Sequence, residues 1–148
     1  MKSLSSAGRK FLIELEGERL VSYPDSGGVW TIGVGHTKGI HAGQIETKQQ
    51  SDLDFAEDIK PREVEVNRAL KTEINQNQFD SLFCFYYNEG VLPRLVLDLI
   101  ASGNFEQATL HMLAYNKVRN RKTGILEFNQ GLYNRRLKEQ KLFLTPVQ

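Results

Sequence analysis

The spacing of apolar residues changes twice along the chain. Leu4, Ala7, Phe11, Leu12 and Leu15 recur at helical intervals, which predicts a helix over Ser5 to Glu16 with Gly17 as its stop. From Leu20 to Thr37 the pattern differs. Pro24-Asp25-Ser26-Gly27-Gly28 is a turn cluster, and Val29 to Val34 then alternates with period two, so this stretch reads as a hairpin. Helical spacing returns after Thr37. Thr47 with Gln50 matches a capping box, and Pro61 predicts a kink or a break near Lys60. Asn75 with Gln78 opens the next helix in the same way. Phe79, Leu82, Phe83 and Tyr86 line one face of it, and Phe85 and Tyr87 extend the apolar surface round the side. A helix apolar nearly all round belongs in the centre of the molecule, and Gly90 ends it. Pro93 suits the first turn of a helix to about Ser102, stopped by Gly103. Asn104 with Gln107 repeats the capping pattern before Ala108, Met112 and Leu113. Lys117 to Gln130 reads as a polar, basic loop, and a last helix runs from about Leu132 to Leu144. One helix, a small antiparallel sheet and about five further helices predict an α+β fold with the sheet at the N-terminal end.

Composition narrows the classes without choosing among them. A chain of 148 residues, 40% apolar and 25% charged, is expected to form one globular domain over residues 1–148, with room for two lobes. Cys84 has no partner for a disulfide, which fits a reducing compartment. The N-terminus carries Lys2, Arg9 and Lys10, but Glu14 and Glu16 interrupt the apolar run behind them, so no secretory signal is expected. His36, His41 and His111 lack zinc-ligand spacing, and Gly33-x-Gly35 lacks the lysine and following helix of a phosphate loop. No metal or cofactor is predicted. The net charge of +1 hides an asymmetry. Between Lys117 and Lys141, eight basic residues face only Glu127 and Glu139, a local excess of +6. That end suits an anionic partner (nucleic acid, lipid headgroup or anionic polymer) or is simply a solvated helix face.

Three residues carry candidate chemistry. Glu16 ends the first predicted helix, where the negative end of the dipole disfavours its ionised form. A carboxyl kept protonated is what a general acid needs, although an exposed glutamate beside Arg19 is the plainer alternative. Asp25 lies in the turn, where aspartate often caps backbone groups. The hairpin folds that turn back beside the helix, so the two carboxyls can flank a cleft, an arrangement used in glycoside hydrolysis. Thr31 shares a strand face with Val29, Gly33 and Gly35, and the two glycines leave a floor for close approach of a ligand.

The run from Glu16 to Thr37, with eight residues between Glu16 and Asp25 and five between Asp25 and Thr31 in a Val29-Trp30-Thr31-Ile32-Gly33 context, resembles the active-site segment of phage-type lysozymes. These are the endolysins of glycoside hydrolase family 24. The likeness continues at Gln76 to Leu82, at Asn88-Glu89-Gly90, and at Gly131-Leu132 with Arg135-Arg136, so it covers most of residues 3–144. It implies a lysozyme-like fold, with a small sheet lobe, a larger helical lobe and a cleft between them. It also implies hydrolysis of the β-1,4 bond between N-acetylmuramic acid and N-acetylglucosamine in peptidoglycan, by inversion. Glu16 would be the general acid, Asp25 would stabilise the anomeric centre and help activate water, and Thr31 would hold that water. Gly33, Gly35, His36, Tyr87 and Asn88 would line the substrate site, and Arg135 or Arg136 would pair with Glu16. Departures from the family pattern fall at Pro24, Val34, Tyr115 and Val91 to Leu97, and none removes the three catalytic positions.

The implied setting is a monomer held in the host cytoplasm until a separate pore-forming protein releases it to the wall. The basic C-terminal end would be drawn to the anionic envelope. Two rival readings predict different behaviour. A peptidoglycan-binding protein of the same fold would bind the wall without cleaving it. A nucleic-acid-binding protein would use the basic stretch, but no groove-reading motif is present.

Overall fold

A computed structural model describes residues 1–148. Helix α1 (Ser6–Glu16) begins at Ser5, whose hydroxyl accepts from the Gly8 N–H, and ends at Gly17, whose positive φ of 73° turns the chain out of the helix. Strands β1 (Arg19–Pro24) and β2 (Trp30–Gly33) pair antiparallel, with Tyr23 opposite Thr31 and Arg19 opposite Gly33. Gln44 to Glu46 runs along the other edge of β1, where the Ser22 N–H reaches the Gln44 carbonyl and the Glu46 N–H reaches that of Leu20. Five helices complete the chain: α2 (Lys48–Ala69), α3 (Gln76–Glu89), α4 (Arg94–Ala101), α5 (Phe105–Leu113) and α6 (Gln130–Leu144).

The centre is α3. Every residue from Gln78 to Phe85 is buried, and α1, α2 and α6 pack on it. Leu12, Ile59, Val66, Val96, Ile100, Met112 and Phe143 complete the apolar core from the surrounding helices. Cys84 is fully enclosed, and burial pushes its thiol well above the ordinary range.

Several local expectations need correction, among them the Thr47 capping box, of which only the Gln50 N–H to Thr47 hydroxyl half forms. Alternation in the second strand stops at Gly33, because the chain reverses at Val34 and Gly35 and Ile32 pairs with His36. The two glycines therefore do not continue one strand face with Thr31. Of the two outcomes expected at Pro61, the break does not occur: α2 continues through it, and Arg62 Nη1 donates to the Asp58 carbonyl beside the site of the missing donor. Asn104 begins α5 but gives no side-chain cap, since its amide donates to the Ser102 hydroxyl. The expected loop over 117–130 holds an exposed antiparallel hairpin, β3 (Lys117–Arg119) with β4 (Leu126–Phe128), in which Lys117 faces Phe128 and Arg119 faces Leu126. No helix is long and apolar enough to cross a membrane.

Candidate active site

Glu16 is the last residue of α1, and its side chain keeps about a fifth of its surface exposed. Oε1 accepts from Arg135 Nη1 at 2.6 Å. Oε2 lies on the Gly35 side, 3.8 Å from where a Cβ on that glycine would stand. Of the two arginines expected as partners, Arg135 of α6 makes the contact with Glu16.

Arg135 is locked on all its edges. Nε donates to Glu139 Oε1 at 3.0 Å, and Nη2 donates to the Cys84 carbonyl at 2.9 Å. Burial alone would pull this guanidinium down, but Glu16 and Glu139 outweigh it and hold it above its ordinary value. Arg136 points the other way. Its Nη1 donates to Glu139 Oε2 at 2.6 Å, its Nη2 reaches Asn88 Oδ1 and Glu89 Oε1, and its guanidinium stacks on the Phe85 ring. Burial pulls Arg136 down and pushes the fully enclosed Glu139 up, each against the attraction of its partners.

Asp25 is exposed in the β1–β2 turn. Its Oδ1 accepts from the Val29 N–H at 2.8 Å, and its own N–H donates to the Val29 carbonyl at 2.9 Å. The turn is fixed by its own backbone, with Gly28 at a φ of 73° closing it. Arg121, from the β3–β4 hairpin, donates to the Ser26 carbonyl and ties the helical side of the molecule to this turn. Tyr23 senses both carboxyls. Burial raises its phenol, Arg19 stacked on its ring opposes that, and the charges of Glu16 and Asp25 raise it further. Thr31 is buried and its hydroxyl donates to the Val29 carbonyl at 2.9 Å, leaving its oxygen lone pairs as acceptors.

The remaining positions divide. Gly35 and Tyr87 stand together beside Glu16, and the Tyr87 hydroxyl donates to the Val34 carbonyl at 2.8 Å, joining the sheet lobe to α3. Asn88 lines an open cleft of about 410 Å³ with Leu15, Ser26, Glu89, Val118 and Arg135. Gly33 lies elsewhere. A Cβ there would stand 2.7 Å from Glu46 Oε1 and 2.9 Å from Ser51 Oγ, so its bareness serves close packing on α2. His36 Nδ1 pairs with Asp58 Oδ2 at 2.8 Å and fastens the turn after β2 to α2. Sequence reasoning gave Glu139 and Glu89 no role at this site. The one available signal was a glutamate four residues after Arg135 and three after Arg136 on a helix.

The family model for phage lysozymes matches residues 13–139. The endolysin of Acyrthosiphon pisum secondary endosymbiont phage 1 is 28% identical over 145 residues, covering 95% of this chain and 97% of that protein. The endolysin of Bacillus phage B103 is 31% identical across 97% of this chain, and the chain spans 54% of that longer protein. The solved endolysin from Escherichia coli O157:H7 phage FAHEc1 superposes with a TM-score of 0.91 at 30% identity, covering 99% of this chain and 96% of that one.

Proposed function

The chain belongs to the phage lysozyme family and is a lysozyme-type, peptidoglycan-hydrolysing endolysin, and on that premise we propose that it cleaves the β-1,4 bond between N-acetylmuramic acid and N-acetylglucosamine with Glu16 as general acid. Residues 1–148 form one catalytic domain in this reading. Protonated Glu16 gives its proton to the glycosidic oxygen as the bond to the anomeric carbon breaks. Water attacks that carbon from the opposite face, inverting it, and Asp25 takes the water's proton while the Thr31 hydroxyl orients the water. Arg135 then stabilises the Glu16 carboxylate that proton transfer leaves. Gly35, Tyr87 and Asn88 line the sugar site, and Gly33 and His36 support it from behind.

What supports this reading most is the unequal setting of the two carboxyls. Glu16 is mostly enclosed at the end of a helix, with a guanidinium at 2.6 Å placed to stabilise the carboxylate that proton transfer leaves, whereas Asp25 stands in an open, backbone-fixed turn across Tyr23. Different environments are what separate an acid from a water-activating carboxylate. The test is reducing-end release from purified peptidoglycan. Glu16→Gln should lower it by about a thousandfold or more. A wall-binding protein without catalysis would instead release nothing in either form and bind equally in both.

The finer setting also belongs to this proposal. The protein acts on the wall as a monomer after release from the host cytoplasm by a separate pore-forming protein, and it binds no nucleic acid. Attraction to the anionic envelope would come from the basic C-terminal end, where Lys117, Arg119, Arg121, Lys122, Lys138 and Lys141 are exposed without ion-pair partners, while Arg135 and Arg136 are buried. Sedimentation of the protein with isolated envelopes at low and high salt tests that attraction, which should fall as salt rises.

A further inference from the structure

We propose that Glu139 is a positioning residue for the reaction at Glu16, fixing the Arg135 guanidinium and sharing its charge. This rests on the reading of Glu16 as the general acid. Glu139 has no solvent contact, and its two oxygens go to two different arginines, Oε1 to Arg135 at 3.0 Å and Oε2 to Arg136 at 2.6 Å. The charges alternate from the cleft inward and out again: Glu16, Arg135, Glu139, Arg136, Glu89. Burying such a chain is costly, and an apolar core of the same volume often stabilises as well or better. The network therefore calls for a role beyond stability, and the group at its open end is the catalytic acid.

The chemistry sets two opposed demands on Arg135. It must be close enough to stabilise the carboxylate that Glu16 becomes when the glycosidic oxygen takes its proton. Arg135 stands 2.6 Å from Glu16, and an undivided positive charge beside any carboxyl favours its ionised form, which has no proton to give. Glu139 divides the attraction. With Nε on Glu139 and Nη2 on the Cys84 carbonyl, only Nη1 is left for Glu16. The other charged or titratable groups facing Glu16 are Tyr23 with Arg19 from β1, Asp25 from the turn, and Tyr87 from α3, with Arg62 and Asp58 of α2 behind it. Glu139 faces Arg135 and Arg136 on its own helix, and Glu89 and the Cys84 thiol on α3, with Asp80 of α3 beyond that thiol.

The experiment is the pH profile of reducing-end release by the full chain and its variants. The alkaline limb marks loss of the acid's proton. Glu139→Gln leaves Arg135 unshared, so that limb should move to lower pH by about one unit. Arg136→Gln leaves Glu139 wholly to Arg135, so the limb should move to higher pH. The double variant removes one charge of each sign and should return the limb near its original place. If Glu139→Gln does not fold, the upward shift expected of Arg136→Gln still decides the test, since a merely structural role would not move the limb. Glu139→Asp retains the charge and should keep the limb near wild type even if the rate falls. A merely structural role would lower amplitude in every variant and leave the limb unmoved, which overturns the proposal. Glu16→Gln serves as the control. If it cleaves like wild type, both readings fall. If it is inactive while the Glu139 and Arg136 variants keep the wild-type profile, only this one does.

Discussion

At the scale of single residues, two glycines in one turn do different work. Gly35 has a φ of 73°, but a Cβ there would meet nothing closer than 3.6 Å, so Gly35→Ala carries mainly the backbone penalty of about 1–2 kcal/mol. Gly33 has a φ of 61° and would also drive its Cβ against Glu46 and Ser51, so Gly33→Ala should cost about 3 kcal/mol or more. Denaturant midpoints of the two variants check the order, and equal losses would contradict it. Glu46 itself has both carboxyl oxygens buried without a partner, and burial together with nearby Asp54 raises its proton affinity. The folded chain thus holds this proton more tightly than the unfolded chain. The resulting stability is fully present below the ordinary value of 4.5 and is lost as pH rises through the folded value. Glu46→Gln should therefore be more stable than wild type near pH 7.5, and thermal melts should show the difference closing toward pH 4.5.

At the scale of elements, helix ends were the most legible features because their chemistry is local. Asn75 and Gln78 form the full reciprocal box that their spacing predicts. Thr47 completes only half of one, since the Gln50 side chain turns to Asp54 instead. Asn75→Ala should cost about 1 kcal/mol, read from the denaturation midpoint, because it leaves the Gln78 N–H at the start of the central helix uncapped. The β3–β4 hairpin was not legible. Its strands are three residues each and wholly exposed, too short for alternation to register. Two strands alone are marginal in water, and this pair leans on Arg121 reaching Ser26 and on Phe128 packed against Tyr133.

At the scale of the whole molecule, the proposed catalytic segment stands out in the sequence because Glu16, Asp25 and Thr31 fall within sixteen residues, close enough for spacing to suggest geometry. The support behind it does not, because Arg135 lies 119 residues from Glu16 in the chain and reaches it only through the packing of α6 on α3. The same packing encloses Cys84. An aromatic disulfide reagent should leave its thiol unmodified in the folded protein and label it fully in denaturant. The central claim is a muramidase whose acid is Glu16. Its most direct test is to digest purified peptidoglycan, reduce the products with borohydride, and identify which sugar carries the new alcohol. The account predicts reduced N-acetylmuramic acid from the wild-type chain and almost none from Glu16→Gln. Reduced N-acetylglucosamine, or equal release by the variant, would contradict it.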